Sequence, residues 1–137
     1  MMVVDASVWV SRLVPQDVHH AATSEWLERQ VTSGGLLVAP VLVLAEVAGA
    51  ISRRTGRPPL ARLAIMVLLR VPGLRLVPID TRVGRTAARL AADLALRGAD
   101  AVYVAMAHHL NIPLMTWDGE QRERANRLIA VRSPSPG

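Results

Sequence analysis

Five short runs rich in Val, Leu or Ile, each bounded by Gly, Pro or Asp, recur along the chain with longer helix-periodic segments between them. They fall at Met2 to Asp5, Leu36 to Pro40, Leu74 to Ile79, Pro113 to Trp117 and Leu128 to Arg132, lengths that suit strands. Among the segments between them, Val83, Ala87, Leu90 and Leu94 repeat at i, i+4, i+7 and i+11, which makes one apolar face of a helix. This alternation constrains the fold more than any other feature. Parallel strands need long crossovers, helices provide them, and the helices then cover both faces of the sheet. The expectation is an α/β chain with a central, mainly parallel five-stranded sheet.

Two helices are predicted between the second and third strands, around Pro40 to Thr55 and around Leu60 to Val71. Gly56-Arg57-Pro58-Pro59 separates them as a helix breaker, not as a domain linker. With 137 residues and 51% hydrophobic content, the chain can bury one sizeable core, so residues 1–132 are read as a single domain. The tail, Ser133-Pro134-Ser135-Pro136-Gly137, has the composition of a frayed, disordered end. The apolar runs Leu36 to Ile51 and Leu63 to Leu69 fall short of the ~20 residues of a membrane helix, and Glu46 interrupts the first. Met1-Met2-Val3-Val4-Asp5 carries no basic segment ahead of an apolar stretch, so it reads as a strand and not as a secretory signal. With no Cys there is no disulfide framework, thiolate nucleophile or Cys-ligated zinc. A soluble, cytoplasmic protein is expected.

In a parallel sheet, ligands gather at the carboxyl ends of the strands, where loops open and helices begin. Asp5 and Asp118 close the first and fourth strands, so their carboxylates can face one crevice if those strands are neighbours. Taken singly, each could equally be a helix cap or a turn residue. Asp100 opens the nearly all-apolar helical run Ala101 to Ala107, which should be buried and should carry its first carboxylate into an interior crevice. Glu46 is the only charge between Gly35 and Ser52, and its helical neighbours Leu42, Val43, Gly49 and Ala50 are uncharged. An unpaired buried carboxylate costs several kcal/mol or takes up a proton, so a cation or basic partner is the economical reading. Asp93 offers a contrast: Arg89 and Arg97 stand at i−4 and i+4, which predicts a surface ion pair. Asp80 is read as a cap.

Together these segments resemble the PIN-domain nucleases, specifically the VapC-type toxins of bacterial toxin-antitoxin pairs. The resemblance is carried by Val3-Val4-Asp5-Ala6-Ser7, by Ala39-Pro40 with Glu46, by Gly98-Ala99-Asp100-Ala101-Val102-Tyr103-Val104-Ala105, and by Pro113-Leu114-Met115-Thr116-Trp117-Asp118. It implies a PIN-like α/β/α sandwich, a homodimer, and Mg²⁺ or Mn²⁺ held by Asp5, Glu46, Asp100 and Asp118. It also implies ribonuclease activity restrained by a cognate VapB-like antitoxin. Ser7 and Thr116 match hydroxyl positions that support the acids. Gly119 and Glu120 follow the fourth acid, where some members carry a further one, so the resemblance assigns Glu120 no role.

Hard oxygen ligands without Cys suit Mg²⁺ or Mn²⁺ better than zinc. The adjacent pairs His19-His20 and His108-His109 diverge by ~100° on a helix and do not make a ligand pair. For diester hydrolysis, Asp5 and Asp100 would hold the principal ion, while Glu46 and Asp118 complete its shell, bind a second ion or orient the attacking water. The formal net charge is +5 and every basic side chain is Arg. A GC-rich genome favours such composition, yet a basic chain still favours nucleic acid over acidic substrates. Arg82, Arg85, Arg89 and Arg97 are predicted to share a helical stripe, and Arg53, Arg54 and Arg57 a helix end, where guanidinium groups could grip phosphates, although a solvated charged face is the commoner meaning of such a stripe on an outer helix. With aromatic residues at 3% and no Phe, no base-stacking platform is inferred. The rivals are a catalytically weak RNA- or antitoxin-binding module of the same fold, a nuclease that acts without an antitoxin or on DNA, and a small-molecule phosphatase. The last lacks an Asp-x-Asp nucleophile motif at the first strand and a Gly-rich phosphate loop.

Overall fold

The computed structural model describes residues 1–135. Five strands, β1 (Met2–Val4), β2 (Leu37–Pro40), β3 (Leu74–Val77), β4 (Leu114–Met115) and β5 (Val131–Arg132), form one sheet in the order β3-β2-β1-β4-β5. Every pairing is parallel. β1, β2 and β4 hold the middle of the core, with Val3, Val4, Leu37 and Leu114 fully buried. Helices supply the crossovers: α1 (Ala6–Leu13) and α2 (His20–Thr32) follow β1, and α3 (Val43–Thr55) and α4 (Pro58–Leu69) follow β2. After β3 come α5 (Thr81–Leu94) and α6 (Gly98–Leu110), and α7 (Gly119–Ala125) links β4 to β5.

The predicted strands all form, each trimmed at one or both ends. The last loses most, because Leu128 to Ala130 lie in the turn after α7 and only Val131 and Arg132 pair with β4. The tetrapeptide at 56–59 divides α3 from α4 but is not wholly outside the helices. Gly56 ends α3 in the left-handed conformation at φ 66°, whereas Pro58 and Pro59 begin α4. At a helix start no intrahelical acceptor awaits the missing N–H, and the fixed φ of Pro is already helical. The tail expected to fray is tied down as far as Ser135. Pro134 is buried, and the Ser135 carbonyl accepts a 2.7 Å hydrogen bond from Arg29. Pro136 and Gly137, the rest of that predicted tail, lie outside the described residues.

α5 buries the predicted face, Val83, Ala87 and Leu90, and Asp80 caps it by accepting from the Val83 N–H at 2.9 Å. α6 is apolar nearly all round and is buried over Ala101 and Tyr103 to Ala107. No described helix is long and apolar enough to cross a membrane.

Candidate active site

β1 sends its crossovers towards β2 and β3 on one side, and β4 enters on the other, so the order of the sheet reverses between β1 and β4. That reversal leaves a crevice beyond the carboxyl ends of the two strands, where loops lead away in opposite directions. The register pairs Val4 with Met115, and the Asp5 N–H donates to the Met115 carbonyl at 2.9 Å. The two strand-end acids are therefore neighbours across the reversal.

Both also act as caps. Asp5 Oδ2 accepts from the Ser7 N–H at 2.9 Å at the start of α1. Asp118 Oδ1 accepts from the N–H groups of Glu120 and Gln121, at 3.0 and 3.1 Å, at the start of α7. Each cap fixes its carboxylate's orientation and leaves a second oxygen for other partners. Asp100 is not a cap: it sits in the first turn of α6, whose cap position is Arg97. Glu46 sits in the first turn of α3, and its Oε1 is buried without a hydrogen-bond partner. The Tyr103 hydroxyl is close enough to lower the Glu46 pKa but lies outside hydrogen-bond geometry, and it too is buried without a partner.

Asp5, Glu46, Asp100 and Asp118 all line one cavity of about 460 Å³, so four distant segments of the chain converge. Burial pushes the Asp5 carboxyl above its ordinary pKa despite hydrogen bonds from Ser7 and Gln121. It raises Glu46 too, and the charges of Asp5 and Asp100 add to the shift. Asp100 is raised by burial and by Asp5, against the opposing pull of Arg97. Crowded carboxylates of this kind resist ionising together unless a cation joins them.

Arg97 supplies part of that positive charge. Its Nε lies 3.2 Å from Asp100 Oδ2 and its Nη2 lies 3.2 Å from Asp118 Oδ2, bridging the two acids from an exposed position. This corrects two expectations. Arg97 follows the end of α5 at Leu94, so it neither shares a stripe with Arg82, Arg85 and Arg89 nor pairs with Asp93. The helix ends because Ala95 turns into the left-handed region at φ 52°. Arg82, Arg85 and Arg89 are exposed on α5 and do not line the cavity, whereas Arg53 and Arg54 do.

Ser7 and Thr116 brace the backbone ahead of the fourth acid. Ser7 Oγ accepts from the Trp117 N–H and Thr116 Oγ1 from the Asp118 N–H, both at 3.0 Å, and the two hydroxyls are 3.3 Å apart. Gln121 was not singled out in the sequence. It is 1% exposed, and its Nε2 donates to Asp5 Oδ1 at 3.5 Å and to the Asp100 carbonyl at 3.3 Å. One amide thus ties β1, α6 and α7 together behind the acids. Read along the chain, Gln121 stands in the polar run Gly119 to Arg124 and carries no signal of burial.

The donor set fits a hard divalent cation: every candidate ligand is a carboxylate oxygen, and one buried oxygen has no partner. Among the described residues no three acids yet converge tightly enough to form a ready-made ligand set.

The sequence matches the PIN domain family model over residues 2–127. A search of curated proteins gave no significant match. Among solved structures, the chain is similar to Mycobacterium tuberculosis VapC20, described as a sarcin-ricin loop cleaving toxin, at 20% identity and TM-score 0.74. That match covers 90% of this chain and 94% of the other. It is similar to Neisseria gonorrhoeae FitAcB at 20% identity and TM-score 0.73, covering 98% of each. It also resembles Rickettsia felis VapBC2 bound to a promoter DNA fragment, at 15% identity and TM-score 0.74, covering 96% of this chain and 97% of the other. At such identities the likeness is one of fold.

Proposed function

This chain belongs to the PIN-domain family, and on that premise we propose that it is a Mg²⁺- or Mn²⁺-dependent endoribonuclease, the toxin of a toxin-antitoxin pair. The observation that carries the reading is the convergence of Asp5, Glu46, Asp100 and Asp118 on one cavity at the reversal of a parallel sheet. A divalent ion would supply charge neutralisation for the phosphate and a more acidic water at neutral pH. Asp5 and Asp100 would hold it, with Glu46 and Asp118 completing the shell or orienting the attacking water. Gln121 fixes Asp5, while Ser7 and Thr116 hold the backbone that presents Asp118. Tyr103, whose phenol is pushed far up in pKa by burial and by Glu46, stays protonated beneath Glu46. Arg97, now paired with Asp100 and Asp118, would compete with a cation for these two acids and could instead offer its guanidinium to a phosphate.

The toxin reading rests on family membership and on the fold shared with VapC20, FitAcB and VapBC2. It brings with it a VapB-like antitoxin, a homodimer and a cytoplasmic site of action.

The test is cleavage of a mixed pool of structured RNAs, beside single- and double-stranded DNA, with Mg²⁺ or Mn²⁺ and with chelator. Metal-dependent RNA cutting is expected, reduced by at least ~100-fold in Asp5→Asn and in Asp100→Asn, as for loss of a principal catalytic group. Cleavage that survives chelation, or that both variants retain, would refute the site. DNA cutting without RNA cutting would refute the substrate.

A further inference from the structure

We infer that the cavity contains a nucleobase subsite built on a stacked His19–Trp117 pair, with Arg53 holding the adjoining phosphate, so that the strand must be unpaired where it enters. The polymer's identity as RNA rests on the ribonuclease reading; the subsite itself rests on the following geometry.

The scarcity of aromatic residues argues against a stacking platform until their positions are seen. Trp9 and Trp26 are buried in the core at 1% and 4% exposure. Trp117 is different, being half-buried, lining the acidic cavity and immediately preceding Asp118. Its indole Nε1 donates to Thr23 Oγ1 at 2.8 Å, which pins the ring. The His19 imidazole lies on it with centroids 3.8 Å apart and planes 6° from parallel, and His19 lines the same cavity. The separation is that of stacked bases, so a third flat ring can extend the pile.

The stack is also held from behind. The His19 N–H donates to Asp17 Oδ1 at 2.8 Å, and Asp17 Oδ2 takes a 2.8 Å ion pair from Arg54 on α3. Burial acts to raise the Asp17 pKa, but Arg54 and the His19 N–H outweigh it and hold the carboxyl below its usual range. The segment before α2 is thereby fastened to α3, and little freedom remains to be lost when a base arrives.

Arg53 is not committed in this way. Among the described residues it has no carboxylate partner, whereas Arg54 beside it is taken by Asp17. Its Nη1 would lie 3.1 Å from a Cβ at Gly49, so the side chain folds back along α3 over that glycine, towards the turn that carries Glu46. Glycine leaves the space that the guanidinium uses. A base on the stack would sit one residue from Asp118, with its backbone near the carboxylates and Arg53 free to pair with a phosphate. Bases inside a duplex are already stacked and paired, so only a splayed nucleotide can use such a subsite.

The experiment measures binding separately from cutting, by fluorescence anisotropy of a short labelled RNA in an Asp100→Asn background with Mg²⁺. His19→Ala should weaken binding of the unpaired strand by about tenfold, as for the loss of one ~1–3 kcal/mol stacking contact. It should leave binding of an abasic strand unchanged, and His19→Phe should restore most of the affinity. Arg53→Gln should weaken intact and abasic strands alike and reduce the salt slope by about one. Unchanged binding in His19→Ala, a His19→Phe as weak as His19→Ala, or a duplex bound as tightly as the unpaired strand would each overturn the subsite. Failure of the two readings can be told apart. His19-dependent binding by a chain that, with Asp100 intact, cuts no RNA would remove the ribonuclease and keep the subsite. RNA cutting with a KM indifferent to His19→Ala would do the reverse.

Discussion

Asp5 meets two opposing demands, since it caps α1 as a carboxylate in a place where burial favours the protonated form. For Asp5, Glu46 and Asp100 the folded pKa is raised, so between the ordinary and the raised values the folded chain holds protons that the unfolded chain has released. Their contribution to stability is therefore full at low pH and falls as pH climbs through the raised values. In chelator, Asp5→Asn should melt a few degrees above the parent at neutral pH, and calorimetry should show the gap closing towards pH ~4. Mg²⁺ should then raise the parent's melting temperature more than the variant's. Arg97→Gln should bind Mg²⁺ about two- to fivefold more tightly in titration calorimetry, the modest gain expected when an exposed ion pair stops competing. Glu46 could be singled out in the sequence because an acid in an apolar run has no local partner, and Asp100 because it opens a helix too apolar to be exposed, although Arg97 three residues before it proves to pair with it. Arg97 was misassigned because one residue, Ala95, ends the helix that would have carried it past Asp93. Gln121 was missed because its burial comes from β1 and α6, far away in sequence.

Elements are legible where their pattern is repetitive and obscure where one backbone angle decides. The stripe on α5 could be read directly, but its stop could not, because alanine is an unusual residue in the left-handed region. Ala95→Gly should therefore stabilise the fold by about 1 kcal/mol, seen as a higher urea midpoint with unchanged slope. Gly73 shows the opposite case. Its φ is +82°, a Cβ there would collide with the Gly35 carbonyl, and its own carbonyl accepts from the Leu37 N–H that begins β2. Gly73→Ala should cost about 2 kcal/mol or more by the same measurement, since neither neighbour is a side chain able to move aside. The arginines divide in the same way: periodicity placed Arg82, Arg85 and Arg89 together, but only the packing of α3 beside the site shows that Arg53 and Arg54 are the ones at the cavity.

At the scale of the whole molecule, strand and helix alternation foretold a parallel sheet, but strand order was beyond reach, since order is set by which edges pair and not by any local pattern. The outer face of α4 leaves Leu63, Met66, Val67 and Leu69 each about half exposed, the feature that best suits the proposed homodimer. Leu63→Glu with Met66→Glu should convert a dimer to a monomer in sedimentation at micromolar concentration, without loss of helicity. Strand order has one more consequence. β1 is made before the other strands of the sheet, pairs with β2, and keeps its other edge open until β4, more than a hundred residues later, slides in beside it. No nascent chain that stops short of α7 can bring Asp118 or Gln121 to Asp5, so whatever chemistry the acids perform is withheld until that last helix has been made.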